Sequence, residues 1–211
     1  MRKEKFIDNE YYHIFNRGVD KRSVFLNKND IDRFFRGMIE FNVEKPIGSL
    51  YQNSFRKEKD TKQINSQDKI VNFICYCLNP NHYHFILQQI RNKGIERFMH
   101  RIGIGYTKYF NEKMERSGVL FQGTFKAVHI DKNEYLLHLS AYVNLNSKIH
   151  QLRNSVSKSS WDEYLNKESS ICDKKIILRQ FKNITSYKKF AKESLKDIQE
   201  RKDMENLLLE E

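Results

Sequence analysis

The chain has 211 residues, of which 39% are hydrophobic and 13% are aromatic. This is enough apolar material for one compact domain with a small appendage. The 38 lysines and arginines outnumber the 27 aspartates and glutamates, which gives a formal net charge of +11. Such a charge favours a polyanionic partner, either a nucleic acid or an anionic membrane surface.

The sequence argues against membrane attachment and secretion. No apolar run approaches the roughly 18 to 20 residues that span a bilayer, and the start Met-Arg-Lys-Glu-Lys lacks the apolar core of a signal peptide. The cysteines, Cys75, Cys77 and Cys172, are odd in number, which does not suggest a disulfide framework and fits a reducing compartment. We therefore expect a cytoplasmic protein without a membrane partner.

The first part of the chain carries a strand signal and then a helix signal. The aromatic run over residues 11–18 ends in a turn signal and predicts a strand. Asn29 and Asp30 predict an N-cap for a helix over residues 31–41, where apolar residues recur at helical spacing. Residues 45–69 are polar with little periodicity, which predicts a flexible loop inserted in the domain.

The next part of the chain predicts a hairpin, two helices and a further strand. Over residues 70–88, two runs rich in β-forming residues flank the turn at 79–81, which predicts an antiparallel hairpin. Apolar residues over 95–110 repeat with helical period and predict a second helix. A strand is expected within residues 121–130, and Asp131 is expected to cap a third helix.

The predicted order is therefore β-α-β-β-α-β-α. This is the ferredoxin-like split β-α-β pattern of the α+β class, an antiparallel sheet with helices covering one face, with one added helix. Residues 1–150 are expected to form this domain. Residues 151–211 are expected to form a basic, mostly helical C-terminal extension.

A pair of histidines lies on the second strand of the predicted hairpin. Because His82 and His84 are two residues apart, both imidazoles project from one face of the strand and can bind one metal ion. A structural zinc site that joins them to Cys75 and Cys77 on the neighbouring strand is an alternative. A metal-free two-histidine phosphoesterase would need two His-x-Ser or His-x-Thr motifs, and neither histidine begins one.

The third predicted helix carries a phenol and a carboxamide on one face, because Tyr142 and Asn146 are four residues apart. Asn146 can complete the metal site while Tyr142 attacks beside it. Two imidazoles with a carboxamide oxygen suit Mg²⁺ or Mn²⁺ acting on phosphate, although histidine also admits Zn²⁺. Tyr106 and Tyr109 are competing nucleophiles, but their aromatic stripe is more simply the buried face of a helix.

Five runs of sequence then occur in a specific order: LNPNHYH at 78–84, YTKYFN at 106–111, SGVLFQGTFK at 117–126, EYLL at 134–137 and YVNLN at 142–146. Together they resemble the single-tyrosine HUH transposases, and most closely the REP-associated branch of the insertion-sequence-200/605-like family. The resemblance extends from about Tyr11 to beyond Trp161.

This resemblance implies an enzyme of DNA transposition that cleaves and rejoins single-stranded DNA, with hairpins as targets. It implies that His82, His84 and Asn146 bind the metal ion. Tyr142 would form a 5′-phosphotyrosine and leave a free 3′-hydroxyl. The implied partner is single-stranded or hairpin DNA, and the chain would act as a monomer or a homodimer.

The sequence departs from the family pattern at two places. Ser147 and Lys148 follow Asn146 where the family commonly has proline, which weakens the signal for the helix end. Thr124 occupies a place often held by arginine, so a contact to backbone phosphate would be missing or supplied by Lys126.

DNA binding requires basic groups that follow the phosphates and aromatic rings that stack on unpaired bases. The residues expected to contact DNA are Arg17, Arg97, Arg101, Lys108, Phe121 and Lys126. The basic cluster around residues 187–189 fits either a hairpin-stem contact or a solvated helix face.

Other classes of function remain open at this point. A catalytically silent, domesticated descendant would bind hairpin DNA without cutting it. An RNA-binding ferredoxin-like module would carry exposed aromatic residues where the histidines lie. Rolling-circle initiators and relaxases share the histidine pair, but they are usually longer or carry other domains.

Overall fold

The computed structural model describes residues 5–54, 68–149, 156–166 and 171–208, which contain five strands and seven α-helices. The strands are β1 (Tyr11–Arg17), β2 (Val71–Asn79), β3 (His82–Gln89), β4 (Lys126–His129) and β5 (Lys158–Ser159). The helices are α1 (Lys28–Glu40), α2 (Leu50–Ser54), α3 (Gly94–Lys113), α4 (Asn133–Ile149), α5 (Trp161–Leu165), α6 (Lys175–Leu178) and α7 (Ile184–Leu208). None of the helices in these ranges is long and apolar enough to cross a membrane.

The strands form one antiparallel sheet in the order β4-β1-β3-β2-β5. The first four strands have the spatial order of the predicted ferredoxin-like fold, which is thereby confirmed. Strand β3 lies at the centre, and its register places His82 opposite Asn79 and His84 opposite Cys77 on β2. Both strands of this hairpin are buried almost throughout, which explains their nearly continuous apolar sequence.

One face of the sheet packs against α1 and α3 through aromatic side chains. Phe34 of α1 lies 5.6 Å from the ring of Tyr83 and 6.3 Å from that of Phe85, both on β3. Phe73 of β2 meets Phe98 of α3 edge-on at 5.4 Å. This face is the apolar core predicted from the helical periodicity.

The other face of the sheet packs against α4. The Asn144 side chain of α4 reaches the sulfur of Cys75 on β2, and the ring of Tyr142 contacts that of His84 on β3. The sequence predicts helices on one face and one added helix, and the structure places that added helix on the opposite face. Helix α7 of the C-terminal extension packs on α4 in turn, so α4 is covered on both sides.

Three local features differ from the expectations. The side chain of Asn27 accepts the hydrogen bond that caps α1, so the cap precedes the predicted Asn29 and Asp30. Helix α2 lies inside the segment expected to be an irregular loop; residues 55–67 of that segment lie outside the described residues. Helix α4 begins at Asn133, so Lys132 precedes it where Asp131 was expected to cap it.

Candidate active site

The site lies where α4 crosses the central strand β3. His82 and His84 project from β3 toward α4, and both are buried. The Nε2 atom of His82 lies 3.1 Å from Oδ1 of Asn146, and the rings of His84 and Tyr142 meet edge-on with centroids 5.5 Å apart. The structure therefore brings together all four residues that the sequence predicts as metal ligands or nucleophile.

The carboxamide of Asn79 lies between two of these residues. Its Nδ2 donates to Oδ1 of Asn146 at 2.6 Å and lies 3.0 Å from Nε2 of His82. Two atoms that carry lone pairs, His82 Nε2 and Asn146 Oδ1, therefore lie close together. The Nδ2 donor of Asn79 is within hydrogen-bond distance of both. Asn79 and Asn146 are both fully buried, so this arrangement is shielded from solvent.

The donor types of His82, His84 and Asn146, and the spacing of two of them, are compatible with a divalent metal ion. Two neighbouring ligands at about 2.1 Å from an octahedral ion are about 3.0 Å apart, close to the separation of His82 Nε2 and Asn146 Oδ1. The buried Nδ2 of Asn146 has no hydrogen-bond partner within normal geometry among the described residues, which is rare for a buried amide and is compatible with a site that receives a ligand. Imidazoles with a carboxamide oxygen would leave coordination positions for phosphate oxygens.

The alternative of a structural zinc site is wrong. Cys75 and Cys77 are free and fully buried, and burial raises the pKa of each thiol to about 12, which disfavours the thiolate form that binds zinc. Cys75 Sγ lies 3.1 Å from the hydroxyl of Tyr164, and Cys77 Sγ bonds Asn79. Across the described ranges, no group of three or more His, Cys, Asp or Glu side chains is placed to hold a metal ion.

Tyr142 is half-buried beside the histidines. Burial raises the pKa of its phenol, and the side chain of Asn146 opposes that rise. The resting phenol is therefore protonated at neutral pH.

The two competing tyrosines lie on α3, on the other face of the sheet. Tyr106 donates its hydroxyl hydrogen to the carbonyl of Val24 at 2.6 Å, and Tyr109 donates to Asp30 at 2.9 Å. Both hydroxyls therefore form hydrogen bonds within the core around α1. The identity of the nucleophile stays a prediction, but only Tyr142 among these three lies beside the histidines.

The site contains a third histidine, His13, which the sequence did not predict as part of it. His13 of β1 places Nε2 at 2.9 Å from Nδ1 of His84, and the two rings stack at 5.1 Å. Burial lowers the pKa of His13 to about 4, so it is neutral at neutral pH. Because Nδ1 of His84 is engaged by His13, His84 would bind a metal ion through its Nε2. Strand alternation hints at this face for His13, but the pairing of β1 with β3 is visible only in the fold.

Three of the residues expected to bind DNA lie along one groove. A cavity of about 1860 Å³ lies between α3, the segment 117–125 and β4. Its lining includes Lys108 of α3, Phe121 of that segment, and Lys126 of β4. Phe15 also lines it and stacks on His84 at 5.6 Å, so the groove adjoins the histidine site.

The three arginines expected to bind DNA are placed differently. Arg17 ends β1 directly opposite His82, at the edge of the site. Arg97 pairs with Glu44 at 2.8 Å, and Arg101 donates to the carbonyls of residues 41, 43 and 44. The last two therefore hold the end of α1 on the opposite face, and DNA contacts by any of the three stay predictions.

Comparison with known proteins gives a family match and solved structures of similar fold. The profile of the family described as "Transposase IS200 like" matches residues 7–146. A solved structure described as a REP-associated tyrosine transposase bound to a REP hairpin is similar with a TM-score of 0.54 and 12% sequence identity. The match covers 82% of this chain and 93% of that one, and at this identity it shows the fold alone. Comparison with curated protein sequences gives no match.

The family match includes β1, the hairpin with both histidines, and α4 as far as Asn146. The structure independently brings these segments into one site. The chain belongs to the IS200-like transposase family.

Proposed function

We propose that this protein cleaves and rejoins single-stranded DNA at hairpins through a covalent bond to Tyr142. The observation that carries the proposal is the meeting of two pairs: Tyr142 and Asn146 on one face of α4 with His84 and His82 on β3. A phenol beside a group of metal-ligand side chains is an arrangement that supports metal-assisted phosphoryl transfer to tyrosine.

The reaction is a transesterification. Tyr142 Oη attacks the phosphorus, the bond from phosphorus to the 3′ oxygen breaks, and the phenol loses its proton while the departing 3′ oxygen gains one. The products are a 5′-phosphotyrosine and a free 3′-hydroxyl. Attack by a 3′-hydroxyl reverses the step and rejoins a strand, so no nucleoside triphosphate is needed.

The main obstacle to this reaction is that the phenol of Tyr142 is rarely ionised at neutral pH. At an ordinary pKa of about 10, only about one phenol in a thousand is ionised at pH 7, and burial raises the pKa of Tyr142 further. A bound Mg²⁺ or Mn²⁺ ion would polarise the phosphoryl oxygens and neutralise charge as it develops. His82, His84 and Asn146 would hold it, and His13 orients His84.

The groove along α3 and β4 is proposed as the path of the DNA strand. Lys108 and Lys126 supply positive charge along it, whereas Phe121 lines it with a ring that is buried against Tyr83. Phe15 links the groove to His84, so a strand in the groove would lead to the site. The similar transposase is bound to a REP hairpin, which supports a hairpin as the substrate of this chain.

The test uses a labelled single-stranded hairpin oligonucleotide taken from palindromic repeats of the source genome, with Mn²⁺ present. We expect the wild-type chain to form an adduct that survives denaturing electrophoresis, and Tyr142→Phe to form none while still binding the oligonucleotide. Tyr135→Phe, on the same helix and partly exposed, is the matched control and should retain the adduct.

The outcomes separate the readings. An adduct in Tyr142→Phe would disprove the assigned nucleophile, and activity that survives EDTA would disprove the metal requirement. Tight hairpin binding by wild type with no adduct under any divalent ion would instead identify a silent hairpin-binding protein.

A further inference from the structure

A buried polar cluster holds helix α4 on the side away from the histidines. The proposed reaction does not use this cluster. Asn144 lies on α4 midway between Tyr142 and Asn146 in sequence. Successive residues of an α-helix are separated by about 100°, so a residue two positions away lies on nearly the opposite side. The side chain of Asn144 accordingly bonds away from the histidines. We call Asn144, its partners Ser160 and Tyr187, and Ser140, which contacts the hydroxyl of Tyr187, the clamp.

The clamp saturates the carboxamide of Asn144. Its Nδ2 donates to the Tyr187 hydroxyl at 2.9 Å, and its Oδ1 accepts from the Ser160 hydroxyl at 2.5 Å. The Tyr187 hydroxyl also lies 3.2 Å from Ser140 Oγ, one turn earlier on α4. All four residues are at most 1% exposed.

The partners of Asn144 come from the C-terminal extension. Tyr187 belongs to α7, and Ser160 directly precedes α5. Ser159 of β5 adds a bond from its hydroxyl to the main-chain carbonyl of Asn144 at 2.9 Å. Ser160 is in turn fixed to the main chain of Tyr76 on β2. The clamp therefore ties α4 to the sheet and to α7 at the same point.

Such directional bonds constrain rotation of α4 more strongly than apolar packing would. Apolar contacts tolerate small rotations of a helix, whereas a buried carboxamide that turns away from its partners leaves polar atoms unsatisfied. A rotation of α4 would move Tyr142 and Asn146 together relative to His84 and His82. Displacement of a reacting group by about 1 Å can lower a rate by about 100-fold.

We propose that the clamp is a positioning device: Tyr187 and Ser160 of the C-terminal extension set the rotation of α4, and thereby place Tyr142 and Asn146 against the histidines. This inference rests on the proposed function and deepens it, because it makes residues beyond the matched family segment part of the active-site machinery. Tyr187 is a positioning residue, since within the described part of the chain its hydroxyl bonds side chains of α4 and its ring packs on neighbouring aromatic side chains, away from the histidines.

The chain offers a matched control for Tyr187. Tyr164 of α5 is also fully buried, and its ring lies 5.3 Å from that of Tyr187. Its hydroxyl donates to the carbonyl of Ile74 at 2.8 Å and lies 3.1 Å from Cys75 Sγ, both on β2. Tyr187→Phe and Tyr164→Phe thus each delete one buried hydroxyl from the same aromatic cluster, but only the first deletes a bond to α4.

The experiment compares the two variants with wild type by three measurements on the full chain. These are Mn²⁺ affinity without DNA by electron paramagnetic resonance, hydrogen exchange of the amides of residues 142–149, and the single-turnover rate of adduct formation at saturating hairpin oligonucleotide. Thermal midpoints are recorded for both variants to show that each loses a similar amount of stability.

We expect Tyr187→Phe to weaken Mn²⁺ binding, to speed exchange in α4 and to slow adduct formation about 10- to 100-fold, with hairpin affinity unchanged within twofold. Tyr164→Phe should leave Mn²⁺ affinity and adduct rate within twofold of wild type. Equal effects of the two variants would overturn the inference. If Tyr187→Phe does not fold, Ser160→Ala replaces it with the same expected direction.

The failure of the two proposals can be distinguished. If wild type forms no adduct, the proposed function fails, while Mn²⁺ affinity and hydrogen exchange still report whether the clamp holds α4. If wild type forms the adduct and the three measurements do not separate Tyr187→Phe from Tyr164→Phe, the function stands and the clamp is merely structural.

Discussion

The two faces of the sheet carry opposite kinds of side chain, although the same strands build both. Toward α1 and α3, strand β3 presents Tyr83 and Phe85, which pack in an aromatic core. Toward α4, the alternate residues of the same strand are His82 and His84, which meet polar atoms. The period of two along a strand allows one segment to serve stability on one side and chemistry on the other.

This division has a cost on the α4 face. Burying His82, Asn79 and Asn146 removes polar groups from water, and the Nδ2 of Asn146 is left without a partner among the described residues. A face optimised for stability would carry apolar residues in their place. We infer that the face toward α1 and α3 supplies most of the stability of the sheet. The face toward α4 instead keeps buried polar groups that lower stability but serve the site.

The largest expected effect breaks the α4 face. His84→Gln should lower the rate of adduct formation by roughly a thousandfold, because metal assistance contributes several kcal/mol to such a reaction. Its thermal midpoint in EDTA should stay close to that of wild type. His129→Gln, on edge strand β4, is the control and should leave the rate unchanged. A large loss of stability in His84→Gln would mean that this face also holds the fold.

A second change breaks the opposite face. Phe34→Ala should destabilise the fold by about 3–5 kcal/mol, because it removes a fully buried ring that contacts several others. Urea unfolding measures this loss, and Ile39→Ala on the exposed side of α1 serves as the control. At low temperature, where the variant is folded, adduct formation should stay within a few-fold of wild type. A selective loss of activity would contradict the division between the faces.

The smallest expected effect concerns a charge on the stable face. Burial works to raise the pKa of Asp30, but bonds from Lys113, the amide of Leu26 and Tyr109 outweigh it and lower that pKa. A carboxyl with a lowered folded-state pKa stabilises the fold above its unfolded pKa of about 3.9 and loses this contribution as the pH falls below it.

Asp30→Asn should therefore cost about 1–3 kcal/mol at neutral pH and should flatten the loss of stability below about pH 4. Chemical unfolding at a series of pH values measures both effects. Asp32→Asn, on the exposed side of α1, is the control and should change little. An unchanged acid dependence in Asp30→Asn would show that other carboxyls govern acid unfolding.

The elements with strong periodicity could be predicted from the sequence, and the irregular ones could not. The hairpin of β2 and β3 and helices α3 and α4 follow from patterns of apolar residues that depend on local geometry. Helix α2 has too few residues and too polar a sequence to show a period. The sequence places the cap of α1 at Asn29 and Asp30 instead of Asn27, because asparagine and aspartate share the same preference for the N-cap position. Only the hydrogen bond from the Asp30 amide in the folded chain identifies Asn27.

The sequence by itself determined two halves of the candidate site. Strand alternation puts His82 and His84 on one face, and a spacing of four puts Tyr142 and Asn146 on one side of a helix. These relations are local, so they hold wherever the strand and the helix lie.

Only the tertiary structure decided that the two halves meet and what supports them. The register of β1 on β3 adds His13, the turn of the hairpin brings in Asn79, and the packing of α7 places Tyr187 behind α4. The contacts of His13 and Tyr187 join residues that are distant in sequence, and Asn79, although only three residues from His82, meets Asn146 only through the fold. Such contacts depend on the packing of the whole chain, and no periodic pattern can encode them.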